Sequence, residues 1–383
     1  MKTSRRSAVN PFIVMDVMEA ARQAEAAGRH IIHMEVGQPG TPAPKTAQDR
    51  LAAEMAADPL GYTVALGRAD LRAGIADLYK RWYGVDLSPD RVVVTAGSSA
   101  AFTLAFTAGF DAGARVGIGD PGYPSYRNIL KALAITPVSI PTARENRFQP
   151  TPQDIDNAGD LDGVLVASPA NPSGTMLSHD ALKTLIEKAA GRGITFISDE
   201  IYHGLHYEDR AVTALEISDD VIVINSFSKY FSMTGWRIGW MVVPQDMVRT
   251  IERLAQNLFI CAPHAAQVAA RGALEAEAEL EVNRATYAEN RRLMLEALPA
   301  MGFGKIAPPD GAFYIYADVS AFTEDATGFC AEVLDQAGVA ITPGNDFDPV
   351  RGHQSVRFSY ARSTDDIREG IKRLADFMAQ KIA

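Results

Sequence analysis

Seven short apolar runs, at 92–95, 116–119, 136–140, 164–167, 195–198, 221–225 and 240–243, constrain this chain more than any other feature. Val and Ile dominate them, and polar residues do not alternate along them. A strand with one wet face alternates, whereas a strand covered on both faces reads as a continuous apolar run, the habit of mostly parallel sheets sandwiched by helices. Helical periodicity fills most of the intervals, most clearly at 71–83, 101–110, 126–133 and 181–190. Ser178 stands where an N-cap belongs before the last of these, and Gly191 and Gly193 stand where it should stop. Strand and helix in alternation predict an α/β unit with helices on both sheet faces.

The two ends follow another pattern. Residues 13–27 predict one amphipathic helix closing near Gly28, and 245–299 reads as nearly continuous helix. Beyond lie strand-like 313–318, 339–342 and 355–359, a helix at 328–337 and a final helix at 364–381. A chain of 383 residues is too long for one core. The expected division is a large α/β domain at 41–284 with a mostly parallel seven-stranded sheet. A smaller α+β domain at 285–383 follows, with the N-terminal segment 1–40 packed on it.

Charge and cysteine usage narrow the function. The net charge of −10 argues against a general nucleic-acid or anionic-membrane binder, which needs a basic face. Cys261 and Cys330 are too few for a disulfide framework and suit a reducing compartment; both read as core residues. Neither a secretory leader nor an apolar run of about 20 residues is present, so a cytoplasmic protein is expected.

Six segments carry chemistry. Ser226-Phe227-Ser228-Lys229 follows a buried run and leads to Arg237. A lysine there meets ligands at the carboxyl edge of the sheet, and a desolvated ε-amine can form an imine with an aldehyde or act as a base. Arg237 offers a planar fork for a phosphate and Ser226 a hydroxyl. Asp199 ends another run and can hold a protonated ring nitrogen, with the Tyr202 phenol near it; otherwise Asp199 caps a turn, the reading given to Glu200. Asn171 lies in the turn Ser168-Pro169-Ala170-Asn171-Pro172-Ser173-Gly174. Ser98 and Ser99 open a helix after Gly97, a natural anion seat. Tyr123, in Asp120-Pro121-Gly122-Tyr123-Pro124, can stack on a flat ring. Arg357 sits inside the apolar run 355–359, where a substrate carboxylate or an internal Asp or Glu must pair it. His203 and His206 form a weak ligand pair without further His or Cys, so a loop and no metal are expected.

Together these segments resemble the fold type I pyridoxal 5′-phosphate (PLP) enzymes, specifically the class I and II aminotransferases close to aspartate aminotransferase. The likeness runs from Ser4-Arg5-Arg6 through Val36-Gly37-Gln38-Pro39 and Gly61-Tyr62 to Arg357. It implies that Lys229 is the Schiff-base lysine and the proton-moving base, and that Asp199 partners the pyridine nitrogen. By the same likeness Asn171 and Tyr202 meet the ring oxygen, and Tyr123 stacks on the ring. Ser98, Ser99, Ser226 and Arg237 form the phosphate cup, and Tyr62 is lent by the other subunit of a homodimer. Arg357 takes the α-carboxylate, with the Gly37 amide and Asn171 nearby. Cis peptides at Asp120–Pro121 and Asn171–Pro172 are implied too. The expected reaction is ping-pong transfer of an amino group from an L-amino acid to a 2-oxo acid.

The sequence departs from a strict aspartate enzyme in being apolar at Asn10-Pro11-Phe12-Ile13-Val14-Met15 and at Gly311-Ala312-Phe313-Tyr314, and in offering no arginine for a distal carboxylate. These departures leave room for a bulky apolar or aromatic donor, without fixing which. Two rivals stand beside this reading: a β-eliminating C–S lyase on the same fold, distinguished by its independence of oxo acid, and a non-catalytic ligand-sensing domain. The sensing reading fits poorly with an acidic chain that leaves no length for a DNA-binding domain.

Overall fold

The structure is a computed structural model that describes residues 2–382. The chain opens with α1 (Ile13–Ala26), β1 (Ile32–His33), α2 (Lys45–Ala57) and α3 (Ala69–Tyr83). Strand and helix then alternate: β2 (Val92–Thr95), α4 (Ser98–Gly109), β3 (Arg115–Asp120), α5 (Pro124–Ala132) and β4 (Thr136–Pro141). The series continues through α6 (Pro152–Asn157), β5 (Gly163–Ala167), α7 (His179–Gly191), β6 (Thr195–Asp199), β7 (Ile222–Ser226) and β8 (Gly239–Val242). Three helices follow, α8 (Val248–Leu258), α9 (His264–Ala273) and α10 (Glu277–Ala300). The chain ends with β9 (Tyr314–Asp318), α11 (Ala326–Ala337), β10 (Val339–Ala340), β11 (Thr342–Pro343), β12 (Ser355–Ser359) and α12 (Thr364–Ile382).

All seven apolar runs are strands of one sheet, in the order β2-β8-β7-β6-β5-β3-β4. The pairs β4–β3, β3–β5, β5–β6 and β6–β7 are parallel, and β8 runs against β7 and β2. The missing polar alternation has a direct cause. Val164, Val166 and Val223 pack into one apolar layer, while Leu165, Ile222 and Ile224 pack into another on the opposite face. The inner strands feed two cores, so neither set of their alternate positions is left to water; the edge strand β4 buries Ile140 alone and leaves Thr136, Ser139 and Pro141 exposed. Ser178 caps α7 by accepting from the Ala181 amide, as its position predicts.

The remaining strands tie the chain ends together. β1 pairs in parallel with β10, Ile32 opposite Val339, and β11-β12-β9 form a separate antiparallel sheet. α1 rests on this unit through Ala21, which is buried with Ile31 and Ala340.

Three expectations need correction, and one helix carried no readable pattern. The region 245–299 is three helices: Ile260 adopts a left-handed φ of 65°, and Pro263, which cannot continue a helical hydrogen-bond ladder, stands before α9. α2 went unread because only Ala47 of its residues is buried, which leaves no apolar stripe. The run 339–342 splits at Ile341 into β10 and β11, which join different sheets. Cys330 is buried, but Cys261 is only half-buried. The expected boundary at 284/285 falls inside α10, an unbroken helix. Asp120–Pro121 and Asn171–Pro172 are cis, as is Ser168–Pro169. Among the described residues no helix is long and apolar enough to cross a membrane.

Candidate active site

Three parallel strands, β5, β6 and β7, end on the same edge of the large sheet, with Ala167 opposite Asp199 and Asp199 opposite Ile224. The loops that leave this edge, the start of α4, the first turns of α1 and strand β12 enclose a cleft of about 860 Å³, its mouth included. Gly37, Ser98, Ser99, Tyr123, Asn171, Asp199, Tyr202, Lys229, Arg237 and Arg357 all line it. Of the expected site residues, only Ser226 and Tyr62 lie outside the cleft wall.

Lys229 Nζ donates to the Gly37 carbonyl at 2.5 Å. Desolvation, with the Arg357 and Arg237 charges added, lowers its pKa to about 7 against the opposing pull of Asp199. An amine that is partly neutral near pH 7 is a usable nucleophile and base. Gly37 is required for space: a Cβ there would run into the Tyr314 hydroxyl.

Asp199 is 2% exposed, and burial raises its pKa to about 6. Its two oxygens are held from opposite sides. The Tyr126 hydroxyl donates to Oδ2, and the Ile201 amide donates to Oδ1 at 3.0 Å, so the turn-capping contact coexists with a carboxylate on the cleft wall. Glu200 does not cap its own turn. It is buried, accepts from the Ala214 amide at 2.8 Å and from Ser198 Oγ at 3.0 Å, and burial pushes its pKa to about 8.

The Tyr202 and Tyr314 hydroxyls are 2.8 Å apart, and burial pushes the Tyr202 phenol far upward, which keeps it neutral. Tyr123 is met edge-on by Phe12 at 5.8 Å and by Tyr126 at 5.3 Å.

The seat expected for a phosphate has a specific build. Gly97 has φ +78°, and a side chain on it would collide with the Arg237 guanidinium, so only glycine lets that arginine lie against the start of α4. No side chain caps α4, which leaves its first amides directed outward beside Arg237. The Ser226 hydroxyl is 2.8 Å from Ser228 Oγ and 3.0 Å from the Ile238 carbonyl, one hydrogen bond from the cleft, which Ser228 lines.

Arg357 is 2% exposed on β12, between the rings of Tyr314 at 4.3 Å and Phe347 at 4.7 Å. It donates to Asn171 Oδ1 at 2.9 Å and to the Glu35 carbonyl, while its Nε has no partner. Among the described residues no carboxylate forms an ion pair with it, so the internal Asp or Glu considered as its partner is not there. A guanidinium held this way is placed to receive an anion from the cleft.

His203 belongs to the scaffold. Its Nε2 lies 2.9 Å from the Ser168 carbonyl and its Nδ1 2.6 Å from the Tyr83 hydroxyl, and burial lowers its pKa to about 3. With Nε2–H donating, Nδ1 accepts from Tyr83. Among the described residues no cluster of His, Cys, Asp or Glu is arranged around a metal position.

Tyr62 is 84% exposed and does not reach this cleft. Tyr126 and Ser228 are site residues that sequence reasoning passed over. Ser228 stood in the quoted lysine segment, whereas nothing local marks the Tyr126 phenol as reaching a strand end in another loop.

Residues 29–374 match the family model for aminotransferase class I and II. A valine–pyruvate aminotransferase of Mycobacterium tuberculosis is 45% identical, covering 98% of each chain. An aspartate aminotransferase of Thermotoga maritima is 32% identical, covering 98% of this chain and 99% of the other. A solved structure of an aminotransferase from Mycobacterium tuberculosis superposes with a TM-score of 0.97 at 44% identity, over 99% of this chain and all of that one.

Proposed function

Because this chain belongs to the aminotransferase class I and II family and is a transaminase, we propose that it moves the amino group of an apolar L-amino acid to a 2-oxo acid, using PLP held in the cleft. The observation that carries this is Arg357, a buried guanidinium with no protein anion to meet it, on the same wall system as a lysine of lowered pKa. The other residues fit the cofactor. Gly97, the uncapped start of α4 and Arg237 suit a phosphate. Buried Asp199, raised to about 6, suits a cation such as a protonated ring nitrogen, which would pull its pKa back down.

When bound, PLP supplies an electron sink for the pair left behind as the substrate's α-proton departs. Lys229 Nζ is the anchoring amine and, once free, the base that takes and returns that proton. Asp199 holds the ring nitrogen, its own oxygens oriented by Tyr126 and Ile201. Tyr202 and Asn171 serve the ring oxygen, and Tyr123 covers the ring. Ser98, Ser99, Ser226 and Arg237 hold the phosphate, with Ser228 beside Ser226 on the cleft wall. Arg357 forks the α-carboxylate, assisted by Asn171 and the Gly37 segment. The unit 41–284 would thus contribute the cofactor's anchors, and 285–383 with 1–40 would contribute the substrate's.

The side-chain end of the cleft is apolar: Phe12, just before α1, and Val14, Met15 and Met18 of α1 face it. Lys229, Arg237 and Arg357, each already given a task, are the only cations lining it among the described residues. No further charge waits for a distal carboxylate, and the valine–pyruvate relative agrees with this preference. A homodimer and a cytoplasmic setting complete the proposal. Tyr62, Val64, Leu258 and Ile260 are exposed on segments knitted together by His264 Nδ1 with the Gly61 carbonyl and by Gln267 with Thr63. A second subunit would cover them and receive Tyr62.

The test is a donor panel without oxo acid, read from the bound cofactor's absorbance. Valine, leucine or phenylalanine should convert the cofactor to its amino form at least about tenfold more efficiently than aspartate, roughly 1.4 kcal/mol, and pyruvate should reverse the change. Release of pyruvate and ammonia from a sulfur amino acid, with no conversion, would instead point to the lyase. A preference for aspartate would overturn the apolar assignment.

A further inference from the structure

α1 begins without a cap of its own, since Phe12 occupies the N-cap position and offers no side-chain acceptor. The first two helical amides are satisfied from far away. Ile13 N–H donates to Asp346 Oδ1 at 3.1 Å and Val14 N–H to Asp346 Oδ2 at 3.2 Å, across 333 and 332 residues of sequence. Asp346 is 4% exposed, in the 3₁₀ turn Gly344–Asp346 that follows β11. Its neighbour Phe347 lies against Arg357 at 4.7 Å, and the Phe347 carbonyl accepts from the Gly122 amide at 3.1 Å, next to Tyr123. Two consecutive residues therefore join three walls of the cleft: α1, the buried arginine and the aromatic of the β3–α5 loop.

We propose that Asp346 is a positioning residue that sets donor specificity, fixing where α1 starts and hence how far Phe12, Val14, Met15 and Met18 stand from Arg357. This rests on the reading of the cleft as an apolar amino-acid site. A carboxylate suits the task because two adjacent amides need two acceptor oxygens, and because negative charge is favoured at a helix start. An asparagine offers one oxygen and leaves one amide unmet. The far end of α1 is held separately, by Ala21 against Ile31 and Ala340. Loss of Asp346 should therefore loosen the first turns alone. A methyl side chain has little apolar surface to bury against such a wall, whereas a leucine side chain offers three further carbons.

The experiment compares the cofactor-loaded wild type with Asp346→Ala and Asp346→Asn, using leucine and alanine as donors in the half-reaction. Hydrogen exchange is measured on the cofactor-free proteins. In Asp346→Ala, kcat/KM for leucine should fall about tenfold, mainly through KM, with alanine changed less than about twofold and Asp346→Asn intermediate. Exchange should accelerate in residues 11–18 and nowhere else. Equal losses for both donors, or unchanged exchange in 11–18, would overturn the proposal. If the wild type does not prefer apolar donors, the parent reading fails on its own, and the exchange result still decides whether Asp346 holds α1. Should Asp346→Ala not fold, Asp346→Asn and Ile13→Pro decide the matter by the same two measurements; the latter removes one donor at a helix position that tolerates proline.

Discussion

Arg357 sits less than 5 Å from two aromatic rings and has an unpaired Nε, so it is preorganised and costly at once. If it holds the carboxylate that every amino acid shares, Arg357→Ala should raise KM for leucine, alanine and aspartate by a common factor of about a hundred, ~2.7 kcal/mol. Steady-state kinetics on those three donors checks this, and a loss confined to one of them would move the arginine to the side-chain pocket. Single residues divide sharply in how legible they are. Lys229, Asp199 and Asn171 could be read because each lies just past a buried run and its chemistry leaves few substitutes. Ser228, two positions from Ser226 and hydrogen-bonded to it, lines the cleft, and serines this close together near a strand end look alike in sequence. Tyr126 and Asp346 could not be read at all. Their partners are 73 residues away in one case and more than 330 in the other, and the contacts leave no local pattern.

Among the elements, the β2–α4 turn makes the strictest demand. Gly97 combines a φ of +78° with direct contact against the Arg237 guanidinium. Gly97→Ala should therefore strain the turn by about 1–3 kcal/mol and displace Arg237. The expected result is at least a tenfold weaker hold on PLP, measured by cofactor release under dialysis, with the far-UV spectrum unchanged. Retention equal to wild type would separate this turn from the phosphate. The inner strands of the large sheet were legible because burial on both faces leaves a continuous apolar signature. α2 was not, since a helix that buries one alanine has no stripe to detect, and the breaks between α8, α9 and α10 depend on a left-handed Ile260 that no propensity favours.

At the scale of the whole molecule, two apolar layers clamp one sheet, and a second unit carries Arg357 to its edge. The α/β class followed from the alternation of runs, whereas the pairing of β1 with β10 did not, because two-residue strands fall below any periodicity. The exposed Tyr62 belongs to this scale, since its own cleft is out of reach. Sedimentation should report a dimer, and Tyr62→Phe should leave that mass unchanged while weakening PLP retention about tenfold; a monomeric protein with full activity would remove the intersubunit role. The knitting together of the chain's two ends has a further consequence, for synthesis. Ile32 pairs with Val339, and the first turn of α1 depends on Asp346, so these residues must wait for partners synthesised more than 300 positions later. At roughly 5–20 residues per second, the apolar face of α1 stays without its partner for on the order of 15–60 s. Over that interval an unpartnered apolar helix face is open to the non-native contacts from which aggregation starts.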